Sequence, residues 1–352
     1  MEKKFMTGNE AIAEAAVQAG CRYFFGYPIT PQSEIPEYMS KRLPEIGGVY
    51  LQAESEVAAI NMLFGAAGAG ARVMTSSSSP GISLMQEGIS YIAGAQLPCV
   101  IVNIMRGGPG LGGIQPSQSD YFQATKGGGH GDYHLLVLAP HTVQEAVSLT
   151  MEAFDLADKY RNPVMILGDG YLGQMMEPVE FKQTASSKLP PKKWALTGAK
   201  GRPPNLIKSL YLDPETLEKH NLEINRKIQE MIKNEVRVET YRTDDAEVII
   251  AAYGMVARIA KTAIKVLREK SIKVGMVRPI TVFPFPYQTF EKIADRANKF
   301  LVVEMSLGQM VEDVKLAVCG KAQICFYGRT GGVVPTYDEI VAEIEKLVEE
   351  AP

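Results

Sequence analysis

Thiol and imidazole groups are scarce: 352 residues contain four cysteines and four histidines. Cys21, Cys99, Cys319 and Cys325 are scattered, with no Cys-x-x-Cys pair and no cluster of histidines nearby. A zinc site or an iron–sulfur cluster is therefore not expected on this chain, and the four read as reduced, buried, small apolar residues. If electrons leave singly, the clusters that carry them belong on another chain. Long apolar runs are also missing. Nothing approaches the ~20 residues needed to cross a bilayer, and Met1 to Phe5 runs into helix-like sequence without the apolar core of a signal peptide. A cytoplasmic protein with no membrane partner is expected. Excess charge of one sign is lacking too, with 37 Lys and Arg against 40 Asp and Glu. No basic run is interleaved with aromatics, which leaves no electrostatic footprint for nucleic acid. Tryptophan occurs once, at Trp194, a residue that more often plugs a surface groove or subunit contact than takes part in chemistry.

What remains is an ordinary globular composition, long enough for two domains at ~100–200 residues each. Helical periodicity over Asn9 to Ala19 is followed by a strand at Tyr23 to Tyr27. Further strands are predicted at Val49 to Gln52, Arg72 to Thr75, Val100 to Ile104 and Val164 to Leu167. Helices fall near Glu56 to Gly68, Ser83 to Ala93 and Val143 to Asp158. Val- and Ile-rich strands separated by helices predict a doubly wound α/β domain over 1–180, with a parallel sheet covered on both faces. Residues 181–241 read as a linker or arm, rich in Lys and Pro as far as Pro204 and then forming a solvent-exposed charged helix, Pro214 to Asn234. Alternation resumes in a smaller α/β unit over 242–352. Its strands are read at Glu247 to Ala252, Lys273 to Val277, Phe300 to Glu304 and Gln323 to Tyr327, and its helices at Val256 to Glu269, Tyr287 to Asn298 and Tyr337 to Glu350.

Chemistry-bearing residues gather just after the strands. Gly26-Tyr27-Pro28-Ile29-Thr30-Pro31-Gln32-Ser33 lies where open α/β sheets bind ligands, and equally suits a turn whose Thr or Ser caps a helix. Gln52-Ala53-Glu54-Ser55-Glu56-Val57-Ala58-Ala59 opens a helix, where acids complement the dipole and small residues allow close packing. Thr75 to Gly81 offers hydroxyls to a ligand or to a helix N-terminus, with Pro80-Gly81 expected to fix a turn ahead of the helix. Asn103-Ile104-Met105-Arg106-Gly107-Gly108-Pro109-Gly110 presents a guanidinium able to grip a carboxylate bidentately, or to form a structural ion pair at a subunit surface.

These segments resemble the 2-oxoacid:ferredoxin oxidoreductase family, and the similarity continues through Val274 to Pro286 and Val303 to Met310. The resemblance implies a thiamine-diphosphate-binding fold of the pyrimidine type, followed by a transketolase C-terminal-like α/β domain. It assigns Glu56 as the catalytic carboxyl that hydrogen-bonds N1′ of the thiamine aminopyrimidine. It assigns Thr30 and Arg106 to the 2-oxo acid, and places Pro28, Ile29 and Ser78 with Glu56 around the cofactor. Arg278 and Glu304 receive structural roles. Also implied are a β subunit holding the diphosphate and Mg²⁺, a γ subunit and a ferredoxin-like δ subunit, with [4Fe–4S] clusters on the partner subunits. Coenzyme A takes the acyl group and external ferredoxin the electrons.

Gly168-Asp169-Gly170 opens like a diphosphate and magnesium motif, but no paired asparagine follows between Trp194 and Lys200. Asp169 therefore reads as a strand-end turn residue, and no metal is expected on this chain. The loop Gly107 to Tyr121 and the following Lys126 to Asp132 resemble branched-chain (2-oxoisovalerate) enzymes more than 2-oxoglutarate enzymes. Leu111, Ile114 and Tyr121 are expected to line an apolar pocket for an isopropyl group. A second substrate carboxylate would call for a further cation, with His130 either supplying it or bonding only through the backbone. Two other readings compete: a 2-oxoglutarate or pyruvate enzyme of the same architecture, and a non-catalytic assembly subunit. A Rossmann nucleotide-binding protein is disfavoured, because no Gly-x-Gly-x-x-Gly opens a helix after the first strand.

Overall fold

A computed structural model describes residues 3–182 and 191–349 of the chain. The first unit opens with β1 (Lys4–Thr7), α1 (Gly8–Gln18), β2 (Tyr23–Gly26), α2 (Glu34–Glu45) and β3 (Val49–Gln52). It continues through α3 (Glu56–Gly68), β4 (Val73–Ser77), α4 (Ser79–Gly94), β5 (Cys99–Met105) and α5 (Tyr121–Thr125). β6 (Leu136–Leu138), α6 (Val143–Tyr160), β7 (Pro163–Asp169), α7 (Gly170–Gln174) and β8 (Met176–Val179) complete it. A long helix, α8 (Pro214–Asn234), leads to β9 (Val238–Tyr241), β10 (Val248–Ala251), α9 (Gly254–Glu269), β11 (Val274–Pro279) and β12 (Thr281–Phe283). The chain then forms α10 (Tyr287–Ala294), β13 (Lys299–Glu304), α11 (Met310–Val318), β14 (Gln323–Gly328) and α12 (Tyr337–Glu349).

The principal sheet has the order β12-β6-β7-β5-β4-β2-β3. Every neighbouring pair in it is parallel except β12 with β6. Alternation along β5 explains why both faces are covered. Val100, Val102 and Ile104 pack with Ile12, Met39 and Phe154 of α1, α2 and α6, whereas Ile101 and Met105 face Ile60, Met85 and Ile89 of α3 and α4. The second sheet, β14-β13-β10-β11-β9, is parallel apart from its edge strand β9. β1 and β8 form a small antiparallel pair.

Several elements differ from expectation for local reasons. α2, for which no helix is predicted, holds Pro36 in its first turn, where a proline gives up no helical hydrogen bond, and Pro44 as its penultimate residue, where the missing N–H costs one bond just before the helix stops. α4 begins four residues earlier than predicted, at Ser79, with Pro80 and Gly81 inside its first turn. The same rule corrects their reading as a turn ahead of the helix. α8 is not solvent-exposed all round: Ile224, Ile228 and Met231 are buried in the first unit's core. In the same segment the Arg161 guanidinium lies 4.6 Å over the Trp194 ring. β9, inside the stretch read as an arm, pairs with β11, and β12 crosses over to pair with β6 of the first unit. Cys21 and Cys99 are buried as expected, but Cys319 is exposed at the C-terminus of α11 and Cys325 is half-buried.

One apolar cluster runs through both units, joining Ile101 and Leu167 to Ile249, Tyr253 and Phe290. A buried charge network reinforces it. Arg278 of β11 is 2% exposed, and its guanidinium donates to both oxygens of Glu145 on α6, at 2.9 and 2.8 Å, and to Glu239 on β9 at 2.7 Å. His141 Nδ1 lies 2.6 Å from Glu145, and Lys261 pairs with Glu239 at 2.6 Å. Burial favours the neutral form of Glu145, but hydrogen bonds from His141 and Arg278 outweigh it and bring the pKa from 4.5 down to about 2. Stabilisation from Glu145 is therefore present in full above about pH 4.5 and is lost as the pH falls toward 2. Glu145→Gln should lower the unfolding free energy at pH 7 by about 3 kcal/mol. Denaturant titrations across pH should show its deficit against the native protein shrinking below pH 4.5; a pH-independent deficit contradicts this account.

Candidate active site

β3, β2, β4 and β5 are neighbours, and their parallel direction brings four carboxyl ends to one edge of the sheet. Ligand loops of open α/β sheets lie at such an edge. Glu56 follows β3, Pro28 to Thr30 follow β2, Ser77 and Ser78 end β4, and Arg106 ends β5.

Glu56 is the first residue of α3, but the helix does not need it as a cap. Ser55 Oγ accepts the Ala58 N–H at 3.2 Å and serves that role. The Glu56 residue is only 5% exposed, and among the described residues its carboxylate forms no hydrogen bond or ion pair. It lies against the first turn of α4, where a Cβ built on Gly81 would sit 2.5 Å from Glu56 Oε1 and 2.0 Å from Ser77 Oγ. Any side chain at position 81 would thus displace the carboxylate or Ser77. In β4 and just after it, the hydroxyls of Thr75, Ser77 and Ser78 are buried without a partner, that of Ser77 meeting Glu56 at Gly81. Ser78 holds the N-cap position of α4 yet its hydroxyl caps nothing. Leaving such groups unpaired costs roughly 1–3 kcal/mol each, so this corner is built for a polar ligand rather than for stability.

Arg106 is also buried, at 6% exposure, and forms no ion pair among the described residues. Its Nη1 donates to the Thr30 carbonyl at 2.9 Å and its Nη2 to the Leu111 carbonyl at 3.1 Å, while Nε is buried and unpaired. The guanidinium thereby ties the loops after β2 and β5 together and keeps further N–H donors available. A second tie runs from Ser76 Oγ to Gln32 Oε1 at 2.5 Å, and from Gln32 Nε2 to the Tyr27 carbonyl at 3.3 Å. Thr30 is exposed and makes no side-chain cap; Pro28 is exposed and Ile29 half-buried. Thr30 lines a cleft of about 600 Å³ together with Pro31, Glu34, Ile114, Pro116, Tyr171 and Met175.

Not every expected group converges here. Ile114 lines the cleft, Leu111 projects from the loop at 83% exposure, and Tyr121 lies elsewhere. Tyr121 is fully buried between the two units, its hydroxyl donating to Asp313 at 2.7 Å, so it does not line an open pocket. His130 is exposed beside the middle of α4, where its carbonyl accepts from Ser90 Oγ at 2.6 Å. With ~1.5 Å of rise per residue, that contact lies ~16 Å along the helix from Ser79. Asp169 is buried at the end of β7 and caps α7, accepting the N–H groups of Tyr171 and Leu172 at 2.9 and 3.1 Å. Burial, opposed by these bonds, raises its pKa to about 6. Among the described residues no cluster of three His, Cys, Asp or Glu side chains is placed to hold a metal, and no helix is long and apolar enough to cross a membrane.

The loop after β5 is anchored in the second unit by Gln118 and Asp313, which no sequence pattern singles out. Gln118 donates to the Tyr253 carbonyl at 2.9 Å and accepts the Met305 N–H at 3.0 Å. Asp313 accepts from Tyr121, Lys126 and Tyr287. Glu304 holds the start of α11, taking the N–H groups of Met310 and Val311 at 3.1 and 2.9 Å. Gly112 closes the loop at φ +60, and a Cβ there would meet the Gly107 carbonyl at 1.9 Å.

Residues 14–251 match the family model described as pyruvate flavodoxin/ferredoxin oxidoreductase, thiamine diphosphate-binding, and residues 246–340 match pyruvate:ferredoxin oxidoreductase core domain II. The chain belongs to the 2-oxoacid:ferredoxin oxidoreductase family. It is 49% identical over 351 residues to ketoisovalerate oxidoreductase subunit VorB of Methanothermobacter marburgensis, covering 100% of this chain and 99% of that one. To 2-oxoglutarate synthase subunit KorA of Methanothermobacter thermautotrophicus it is 36% identical, covering 98% and 99%. Among solved structures, the 2-oxoglutarate:ferredoxin oxidoreductase from Magnetococcus marinus with 2-oxoglutarate, coenzyme A and succinyl-CoA bound matches with a TM-score of 0.84 at 26% identity. That match covers 98% of this chain and 65% of the other. A split-gene transketolase shares the fold at a TM-score of 0.61 and 14% identity. This 2-oxoacid oxidoreductase chain thus carries a thiamine diphosphate-binding domain. In it, Gly81→Ala should lower turnover of the assembled enzyme at least tenfold by displacing Glu56, an effect of about 1.4 kcal/mol or more. Steady-state kinetics alongside a melting curve checks this, and a folded, fully active variant contradicts it.

Proposed function

We propose that this chain is the pyrimidine-binding subunit of a thiamine diphosphate-dependent oxidoreductase that converts a branched-chain 2-oxo acid, 2-oxoisovalerate, to its acyl-CoA with release of CO₂ and reduction of ferredoxin. The observation that carries the reading is the buried Glu56 carboxylate, unpaired at a parallel sheet edge, with the unpaired Ser77 hydroxyl against it at Gly81 and that of Ser78 just after the same strand. These groups fit an aminopyrimidine: an edge nitrogen needs a carboxyl, and the ring's remaining polar atoms need neutral partners. The cofactor, when bound, supplies the electron sink for decarboxylation.

Glu56 holds the proton shared with N1′ of the aminopyrimidine, and the dry surroundings strengthen that hydrogen bond. Ser78, with Pro28 and Ile29, shapes the wall around the ring. Thr30 and Arg106 orient the 2-oxo acid, Thr30 at its 2-oxo group and Arg106 at its carboxylate, with the remaining guanidinium N–H donors. The cleft beside Thr30 favours an apolar substrate side chain. Among the residues lining it, Ile114, Pro31, Pro116 and Met175 are apolar, Glu34 is acidic and none is a cation. A second substrate carboxylate would face Glu34 unpaired. The β subunit holds the diphosphate and Mg²⁺, γ and δ subunits complete the cytoplasmic complex, and [4Fe–4S] clusters on the partners pass electrons to ferredoxin.

Assaying the assembled complex with a panel of 2-oxo acids, with viologen as acceptor, separates this reading from a 2-oxoglutarate or pyruvate enzyme. Faster turnover of 2-oxoglutarate than of 2-oxoisovalerate would reassign the substrate. Glu56→Gln should leave assembly intact and cut turnover by ~10²-fold or more; undiminished turnover would make the chain an assembly subunit. The isolated chain should bind thiamine diphosphate negligibly, and calorimetry showing tight magnesium-dependent binding by this chain alone would refute the shared site.

A further inference from the structure

Asp120 stands at the N-cap position of α5, yet its carboxylate caps nothing there. The second unit serves that helix terminus instead, with Gln309 Oε1 accepting the Phe122 N–H at 2.8 Å. Asp120 Oδ2 turns toward the sheet edge, where it accepts from Ser79 Oγ at 2.6 Å and from Asn103 Nδ2 at 2.9 Å. Burial raises the pKa of this carboxyl, while the two hydrogen bonds oppose the rise by favouring the charged form.

Ser79 Oγ in turn accepts the Arg106 N–H at 3.0 Å. Ser79 Oγ also lies 3.2 Å from the Arg106 carbonyl, but a hydroxyl has one proton, and directing it at the closer Asp120 oxygen leaves the lone pairs for the Arg106 amide. Carboxylate, hydroxyl and main-chain amide thus form a chain ending on the residue whose guanidinium spans Thr30 and Leu111. The same carboxylate orients Asn103. Because it only accepts, Nδ2 must face it, and Asn103 Oδ1 is left as a buried acceptor without a partner. Asn103 pairs in register with Ser77, whose hydroxyl borders Glu56 at Gly81. One acid thereby touches the supports of both ends of the site.

We propose that Asp120 is a positioning residue for 2-oxo acid binding, acting through Ser79 on the backbone at Arg106. The proposal rests on the reading of Arg106 as the carboxylate-binding group. Both donors fall on one oxygen, Oδ2, so an asparagine keeps them on its amide oxygen, whereas an alanine removes the acceptor and frees the Ser79 hydroxyl to turn to the Arg106 carbonyl, 3.2 Å away, disturbing the anchor at Arg106.

The test uses the assembled complex, with Asp120→Ala, Ser79→Ala and the double variant assayed against 2-oxoisovalerate and coenzyme A. Each single change should raise KM for the 2-oxo acid about tenfold while kcat falls less than about threefold and KM for coenzyme A stays put. The double variant should be no worse than either single one, because both break the same chain, whereas independent lesions add. Unmoved KM in folded variants, additive effects, or an equal rise in KM for coenzyme A each overturn the proposal. If Asp120→Ala does not assemble, Ser79→Ala decides alone by the same split. A native complex that turns over no 2-oxo acid fails the functional reading and this proposal with it; an active native complex with unmoved KM in the variants fails the positioning role only.

Discussion

Parallel pairing of β3, β2, β4 and β5 is the constraint on which the site depends. In a parallel sheet every strand ends on the same edge and every following helix begins there, so loops far apart in sequence meet without further design. The N-termini of α3 and α4 come with them, and an acid at a helix start is favoured by the dipole. Glu56 can therefore remain buried without an internal counter-charge. Low bulk at Gly81 is the second requirement, since the carboxylate and Ser77 occupy the space a side chain would take.

The second unit contributes order rather than reacting groups. The loop after β5 leaves the sheet at Arg106 and is held at Gln118 and Tyr121 by β13, α11 and the start of α9. The Arg278 to Glu145 pair and the shared apolar cluster fix the two units against each other. Effective catalysis by positioned groups tolerates errors of only about an ångström. A long glycine-rich loop could not hold a guanidinium to that tolerance by itself. Buried, unpaired hydroxyls and a buried lone carboxylate lower stability, and a continuous two-unit core is what offsets them.

Fold class was legible in the residues, because apolar alternation and turn signals are local and the strands and helices at the sheet centre follow them. Short or unusual elements were not. β6 has three residues, β12 and β9 are recruited across unit boundaries, and α2 hides behind two prolines. α8 looked solvated because its charged faces outweigh the single stripe of Ile224, Ile228 and Met231.

For the site, the sequence by itself determined which chemical groups stand at strand ends: Thr30, Glu56, Ser78 and Arg106 occur where a strand must stop and a helix start, and that much follows from nearest neighbours. Only the tertiary structure decided which of them share one space. It brought Arg106 against Thr30, walled Glu56 with Gly81, sent Tyr121 into the interface and His130 down the flank of α4. It also brought Asp120, Gln118 and Asp313 into play. The reason is physical: a hydrogen bond spanning 187 or 192 residues, as from Met305 to Gln118 and from Tyr121 to Asp313, depends on how sheets stack, and leaves no periodic trace in the chain that makes it.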